Sequence, residues 1–317
     1  MDTANPSPSP AALLDDPIAL RDAWQALRAR HPHLHGPEAA ARLGVPEAAL
    51  VASRIGDGAC ALDTDLAALL RGCEDWGKLL FAARNAMGVC ITILDDAAVG
   101  HAPGRVALRT SAVEAVIDTQ AAASVFLFED RDAHGHTVSL NWFDARGDVL
   151  GRLFLMAKSG RARALPQLQR FVRHAADARW RAQDGPPVAV MPLPSSLRRV
   201  AAIAHPAPDL IAERVVLGCA ALPRWKVSMC GPGAAVRYEG PLGRPMHTPP
   251  AVHATDALCK LHLRMAAARS AWRCATDDGA PGIAWSDGDG GTLAFVPMAD
   301  ADVTARWGAA LTDGGDR

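Results

Sequence analysis

The chain has 317 residues, half of them hydrophobic, and its formal net charge is −1. This length exceeds that of an ordinary single core and predicts two domains. The near-zero charge argues against a protein whose whole surface binds nucleic acid or anionic lipid. The apolar runs fall short of the roughly 18 residues that a membrane-spanning helix needs, so we expect a protein that is not embedded in a membrane.

The first segment of the chain, residues 1–14, is rich in Pro and Ser and predicts a disordered tail. It has neither the basic region nor the apolar region of a secretory signal peptide. The seven cysteines are odd in number and form no C-x-x-C pair, which indicates free thiols in a reducing compartment. We therefore expect a cytoplasmic protein.

Helices are predicted in the first part of the chain. Asp15 or Asp16 followed by Pro17 is a helix start, because a capping side chain precedes a proline at the first helical position. Apolar residues then recur at helical spacing until His31. Further helices are predicted over residues 37–43, 46–51 and 62–70.

Antiparallel strands are predicted to follow, because short β-branched and apolar runs alternate with turn residues. These runs cover residues 89–94, 106–108, 124–128, 138–143 and 150–156. A closing helix is predicted over 165–180 and a Pro-rich linker over 181–197. After a predicted helix pair (197–204 and 209–217), the strand series repeats over residues 226–230, 234–239, 257–265, 271–274, 283–286 and 292–296.

One motif occurs twice. The pattern W-x-D-x-x-G spans Trp142–Gly147 and recurs 143 residues later at Trp285–Gly290. A Trp-bearing strand, a turn opened by Asp and closed by Gly, and a second apolar strand form a hairpin. Such a distance predicts a tandem duplication, with the first repeat over 15–180 and a second, truncated repeat over 198–313. The predicted fold class is α+β, each copy being a large antiparallel sheet with packed helices, and we expect that a cut near residues 184–196 leaves a soluble first half.

Three segments resemble the HemS/ChuS family of cytoplasmic haemin-degrading or haemin-handling factors, which is related to the ChuX/HutX-like haem-utilisation domains. They are His33–Arg54, Gly77–Asn85 with its terminal Arg-Asn, and Ser139–Asp148, which is similar to the family's S-L-x-F-F-D-x-x-G hairpin. The family is itself a tandem duplication, in agreement with the repeat. The resemblance implies a haem ligand held in a cleft, largely by the second copy and the connector before it.

The resemblance also implies site residues. The family's iron-ligating histidine stands at the start of its second copy, where this chain has His205. Arg84 and Arg273 match family arginines and are candidate partners of the haem propionates, and Arg214 is a weaker candidate. Haem binding requires an axial ligand, usually imidazole, together with cations for two propionates and apolar walls. Tyr238, the only tyrosine, is interpreted as a core residue or as a contact or ligand of haem.

Other histidines offer weaker alternatives. His31, His33 and His35 alternate, as do His134 and His136, and alternating histidines on one strand chelate metals. Both groups lie in predicted loops without an acidic or Cys partner at fixed spacing. If His205 is not the ligand, the next candidates are Tyr238, His247, His253 and His262.

Two functional alternatives remain open. Residues 37–54 also resemble a helix-turn-helix, so a non-catalytic DNA-binding regulator is the second hypothesis, although the second helix offers Glu47, Ala48 and Ala49 instead of base-reading side chains. A degenerate homologue that has lost haem binding is the third. No triad, P-loop or dinucleotide fingerprint is present, so any enzyme activity here relies on haem chemistry, and the sequence leaves open whether haem is degraded, stored or delivered from a haem ABC transporter's cytoplasmic face.

Overall fold

The computed structural model of the chain describes residues 8–132, 135–156, 158–173, 180–203, 224–243, 245–248 and 251–298. The chain opens with four helices, α1 (Pro10–Asp15), α2 (Pro17–Arg30), α3 (Gly36–Leu43) and α4 (Glu47–Ala52). The Asp16 carboxylate accepts the N–H groups of Ile18 and Ala19 at the start of α2, as predicted. Gly44 ends α3 in the left-handed conformation that glycine adopts without strain.

The first copy then forms nine strands with two short helical insertions and a closing helix. Its elements are β1 (Ala59–Leu62), α5 (Leu66–Leu69), a 3₁₀ turn (Cys73–Trp76), β2 (Leu79–Asn85), β3 (Gly88–Leu94), β4 (Ala98–Ala102), β5 (Arg105–Arg109), β6 (Val113–Asp118), β7 (Ser124–Asp132), β8 (Gly135–Phe143), β9 (Val149–Leu155) and α6 (Lys158–Gln169).

The second copy repeats the strand series. Its elements are β10 (Leu197–Ala202), β11 (Trp225–Gly231), β12 (Ala234–Gly240), β13 (Met246–Thr248), β14 (Ala251–Thr255), β15 (Cys259–Leu263), a 3₁₀ turn (Met265–Ala267), β16 (Ser270–Thr276), β17 (Pro281–Ser286) and β18 (Thr292–Pro297). Residues 180–196 before it contain no helix, whereas four helices precede β1.

Several local predictions were wrong. The expected tail 1–14 contains α1, which begins with Ser9 accepting the Ala12 N–H. The predicted helix 62–70 is the end of β1 followed by the single turn α5, and the closing helix starts at Lys158 instead of 165. Residues 197–202 are strand β10, because pairing with β16 overrides their helical pattern. The predicted helix 209–217 lies outside the described residues.

The eighteen strands found in the described ranges form two antiparallel sheets of nine strands each. Sheet I has the order β1-β7-β8-β9-β2-β3-β15-β14-β13, and sheet II has the order β10-β16-β17-β18-β11-β12-β6-β5-β4. Each strand of sheet I corresponds to the strand at the same position in sheet II. Its number is nine higher in sheet II for the first six positions and nine lower for the last three. The duplication is thus confirmed, and each copy donates three strands to the other copy's sheet.

This strand exchange argues against the expectation that a cut near residues 184–196 leaves a soluble first half. The two contributions to sheet I meet where Cys90 pairs with Leu261, and those to sheet II meet where Val236 pairs with Ala115. Cutting the linker therefore leaves β3 and β6 as unpaired edges in the first half. The linker thus joins two copies that both contribute strands to each sheet.

The main core lies between the inner faces of the two sheets and contains residues of both, among them the fully buried Trp142 and Trp285. The helices α1–α4 cover the outer face of sheet I at its β1, β7 and β8 end, where they pack on Phe126 and Phe143. The outer face of sheet II is covered in part by the linker, whose Leu193 packs against the cluster around Trp272 and Ala284. No helix in the described part of the chain is long and apolar enough to cross a membrane.

The two W-x-D-x-x-G hairpins have the same turn. Asp144 accepts the main-chain N–H groups of Arg146 and Asp148, and Asp287 accepts those of Asp289 and Gly291. The glycines that close the turns, Gly147 and Gly290, both have φ of 87°. The predicted equivalence of residues 138–156 and 283–296 is confirmed.

Candidate ligand-binding face

Helices α1–α4 pack on the outer face of sheet I at its β1, β7 and β8 end, and side chains of α3 and α4 reach the β2, β3 and β15 end through the ion pairs Glu38–Arg264 and Glu47–Arg84. On β3 the residues Val89, Ile91 and Ile93 point to this face and are half-buried, whereas Cys90 and Leu94 point into the core. The alternation follows from the two-residue period of a strand. The face thus presents an apolar strip along its middle.

One cross-strand row on this face combines residues of both copies. His253 of β14 pairs with His262 of β15, His262 pairs with Val89 of β3, and Val89 pairs with Arg84 of β2. All four side chains are half-buried and share the outer face. We call these four residues the His–Arg row.

A buried carboxylate holds the arginine end of the row. Glu47, the first residue of α4, has a side chain only 8% exposed, and it lies 3.9 Å from Arg84 and in direct contact with Arg152 of β9. Burial lowers the pKa of Arg84, and the charge of Glu47 opposes that shift. An arginine remains protonated in such a setting, so the cluster of two arginines and one carboxylate keeps a net positive charge.

The histidine end of the row is a hydrogen-bonded pair. The two Nδ1 atoms of His253 and His262 are 2.7 Å apart, so one ring donates its N–H and the other accepts it. Burial lowers the pKa of His262, with further contributions from His253, Lys260 and His35. The lowered pKa favours the neutral imidazole of His262, which is the form that ligates metals.

The other predicted site residues lie elsewhere. Arg273 is exposed on β16 of sheet II, so the structure does not place it on the same sheet as Arg84. Tyr238 is fully buried in the core between the sheets, and its hydroxyl lies 2.7 Å from the Pro241 carbonyl oxygen and 2.6 Å from the Asp256 carboxylate.

The residues that the structure describes do not include His205, Arg214, His134 or the side chain of His247. Within the part of the chain that the structure describes, no group of three or more His, Cys, Asp or Glu could hold a metal ion.

The helices α3 and α4, which resemble a DNA-binding helix-turn-helix in sequence, have a structural role in this fold. In α4, the would-be recognition helix, all residues from Glu47 to Val51 are buried. Base edges cannot reach a helix whose side chains pack on its own sheet. The expectation that a structural pair is favoured over a DNA-binding motif is supported by this packing.

Sheet II carries a different outer face. A cavity of about 270 Å³ lies between the linker and the sheet, and charged and hydroxyl side chains line part of it. These are Lys226, Ser228, Arg237, Thr276 and Asp278. The two outer faces have thus diverged, although the strands beneath them correspond.

The sequence predicted Arg84 as a candidate site residue but did not indicate the residues that contact it. Glu47 was interpreted only as a poor base-reading residue, and Arg152 was not considered. The alternation of β14 and β15 could have indicated that His253 and His262 share a face, but their pairing with Arg84 depends on the exchanged strand β15. No local signal in the sequence reports such a register.

Comparisons with known proteins find relatives of the first copy and of the whole two-sheet fold. Residues 44–173 match the model of the haemin-degrading HemS.ChuX domain family, so the first copy carries a HemS/ChuX-type domain. A curated relative, the hemin transport protein HmuS of Yersinia pestis, is 28% identical over 140 residues, which is 43% of this chain. That alignment spans only 40% of the length of the curated relative.

Solved structures extend the likeness to nearly the whole chain. Holo-PhuS, a heme-binding protein from Pseudomonas aeruginosa, matches with a TM-score of 0.75 and 21% identity over 94% of this chain and 99% of that chain. The heme-degrading enzyme ChuS of Escherichia coli O157:H7 matches with a TM-score of 0.74 and 16% identity over 93% and 99%. At these identities the match establishes the fold, the duplicated two-sheet arrangement described above.

Proposed function

We propose that this protein binds haem and serves the use of haem iron, by delivering, storing or oxidatively degrading haem. The observation that carries the proposal is that the HemS.ChuX domain match includes the Arg84-Asn85 segment, and that Arg84 stands beside an apolar strip on the outer face of sheet I. The names of the relatives, a hemin transport protein and heme-binding or heme-degrading proteins, support this class of ligand.

The residues present fit haem. A porphyrin requires apolar contact, which Val89, Ile91 and Ile93 offer, and its two propionates require cations. Arg84 supplies one cation on this face, and Glu47 orients it. We propose Arg273 and Arg214 as further propionate partners and His205 as an iron ligand.

Tyr238 has less support as a contact of haem. Its hydroxyl is already bound within the core, and burial together with the hydrogen bond to Asp256 raises its pKa. Ligation of iron requires a phenolate, which this setting disfavours. We therefore propose a core role for Tyr238, as its strand position also indicated.

The cellular part of the proposal rests on the relatives. We propose that the protein works in the cytoplasm and receives haem at the cytoplasmic face of a haem ABC transporter, in line with the transport named for the Yersinia pestis relative. If haem is degraded, bound haem itself supplies the oxidative chemistry, and the protein positions it and limits the access of water.

A haemin titration tests the function. The apo-protein is expected to shift the Soret band of micromolar haemin with one-to-one stoichiometry, and the absence of a shift would remove the proposal. Arg84→Ala is expected to weaken binding about tenfold or more, because a charge-assisted hydrogen bond contributes roughly 1.5–3 kcal/mol. Arg109→Ala is the matched control, since this exposed strand arginine pairs with Glu114 on sheet II.

Further measurements distinguish haem degradation from haem binding and test His205 and Arg273 individually. Reductant and O₂ added to the haem complex bleach the Soret band only if haem is degraded. His205→Ala is expected to shift the band and lower the affinity, whereas Arg273→Ala is expected to lower the affinity with an unchanged spectrum. An unaltered spectrum and affinity in His205→Ala would remove His205 from the site.

A further inference from the structure

We propose that His262 supplies an axial ligand to haem iron on the outer face of sheet I, with His253 as its positioning residue. The inference rests on the proposed haem-binding function and deepens it by placing the iron above the His–Arg row. His205, proposed above from a family resemblance, is a separate candidate ligand and is tested by its own variant.

The duplicated fold provides an internal control for this pair. The row of sheet II that corresponds to the His–Arg row is Ala107, Val116, Ala235 and Cys230, joined by the same strand pairings. The positions of His253 and His262 are thus filled by alanine and valine in the other copy. Because the same fold forms there with two small apolar residues, folding does not require the histidine pair.

The geometry of the pair suits ligation. When Nδ1–H of His262 donates to Nδ1 of His253, the tautomer of His262 is fixed and its Nε2 carries the lone pair. Nothing in the described ranges hydrogen-bonds to either Nε2 atom. A histidine whose other ring nitrogen is hydrogen-bonded is the usual form of a metal-ligating histidine.

The charges near His262 favour the binding of haem over that of a free metal ion. Lys260 follows the alternation of His262 on β15 and adds a positive charge beside it, whereas Arg264 comes directly after the strand and lies 3.4 Å from the Glu38 carboxylate. This positive charge disfavours a free divalent cation, which would also find only two protein ligands. A ligand that combines iron with two carboxylates is favoured by the same charges.

The distance between His262 and Arg84 along the His–Arg row also matches the size of haem. His262 and Arg84 are separated by one strand, β3, which corresponds to roughly 10 Å at the usual strand spacing. Val89 lies between them as an apolar contact for the ring. An iron ligand and a propionate partner thus stand on one line with an apolar side chain in the middle.

The experiment uses the full chain and replaces each histidine with the residue at the corresponding position of the other copy. His262→Val and His253→Ala recreate the Val116–Ala107 pair, so far-ultraviolet circular dichroism is expected to be unchanged. In a haemin titration, His262→Val is expected to shift the Soret band and to weaken binding at least tenfold. His101→Ala, which removes an exposed histidine from β4 of sheet II, is the control and is expected to behave as the parent protein.

His253→Ala has a distinct expected result. It removes the acceptor of the His262 N–H and leaves the ligand in place, so the Soret band is retained with a smaller loss of affinity. The iron–histidine stretching frequency of the ferrous complex is expected to fall, because the ligand imidazole becomes less basic. A purely structural role of His253 would not move this frequency.

The outcomes separate the two proposals. If the parent protein shifts the Soret band and His262→Val does so with the same spectrum and affinity, the ligand assignment is wrong and the haem-binding function stands. If His205→Ala abolishes all binding and His262→Val changes nothing, the iron is held at His205 alone. If the parent protein binds no haemin, both proposals fail.

Discussion

The carboxylate of Asp287, in the second copy, accepts a 3.0 Å hydrogen bond from the main-chain N–H of Ala86, in the first. The neighbouring Asn85 side chain donates to the carbonyl oxygens of Cys230 and Thr292, both at 3.1 Å. The β2–β3 turn is therefore tied into the sheet of the other copy. In the Arg-Asn segment, Arg84 lies on the outer face of sheet I while Asn85 joins the two sheets.

Asn85→Ala is expected to lower the free energy of unfolding by about 1–3 kcal/mol, because two main-chain carbonyl oxygens lose their donor. Guanidinium chloride denaturation measures the change. Asp289→Ala serves as the control, since Asp289 is exposed in the hairpin turn. Equal midpoints for the two variants would contradict a joining role for Asn85.

Separating the chain after Gly185 is expected to leave neither half as a stable monomer. The first half would expose the edges of β3 and β6, which pair with β15 and β12 in the intact protein. Co-expressed halves are expected to assemble into one complex of native mass, as measured by size-exclusion chromatography with light scattering. A folded, monomeric first half would show that the exchanged strands are dispensable.

Gly151→Ala is expected to destabilise the protein by about 1–3 kcal/mol, the usual effect of overpacking a core. A β-carbon at this position would overlap the indole ring of Trp142, which is fully buried. Thermal unfolding measures the change. Gly288→Ala is the control, because a β-carbon there meets no atom within 4 Å, and its melting temperature should match that of the parent.

Alkaline pH is expected to destabilise the fold from about pH 9 to pH 12. Burial raises the pKa of Cys73, Cys230 and Cys274 from 9.0 to about 12, so in this window the unfolded chain loses thiol protons that the folded chain keeps. The unfolded state then binds fewer protons, and the free energy of unfolding falls by on the order of 1.4 kcal/mol per pH unit for each thiol.

Denaturation midpoints between pH 8 and pH 11 test this dependence. Cys274→Ala should show a shallower decline with pH than the parent protein, because one buried thiol is absent. An identical pH profile would mean that the thiols do not titrate in this window.

Features with local causes could be predicted from the sequence. The two hairpins were found because Asp144 and Asp287 each bind the N–H groups of their own turn, and such chemistry is visible in six consecutive residues. The start of α2 at Asp16 was found for the same reason.

Features that depend on distant pairing could not be predicted. The exchange of strands depends on contacts such as Cys90 with Leu261, and either partner alone reads as an ordinary strand residue. The helical pattern near residue 197 was overridden by pairing of Leu197 with Thr276. The partnership of Glu47 with Arg84 likewise depends on how α4 lies over the sheet.

The exchange of strands has a consequence for the growing chain on the ribosome. Strand β3 ends at Leu94, but its neighbour β15 begins at Cys259. At a usual synthesis rate of 5–20 residues per second, roughly 10–30 s pass before that edge is covered. During this interval the nascent chain exposes unpaired backbone, which is open to a chaperone or to another nascent chain. Contacts of such large sequence separation also slow folding, so the yield of this protein is expected to fall when translation outpaces chaperone supply.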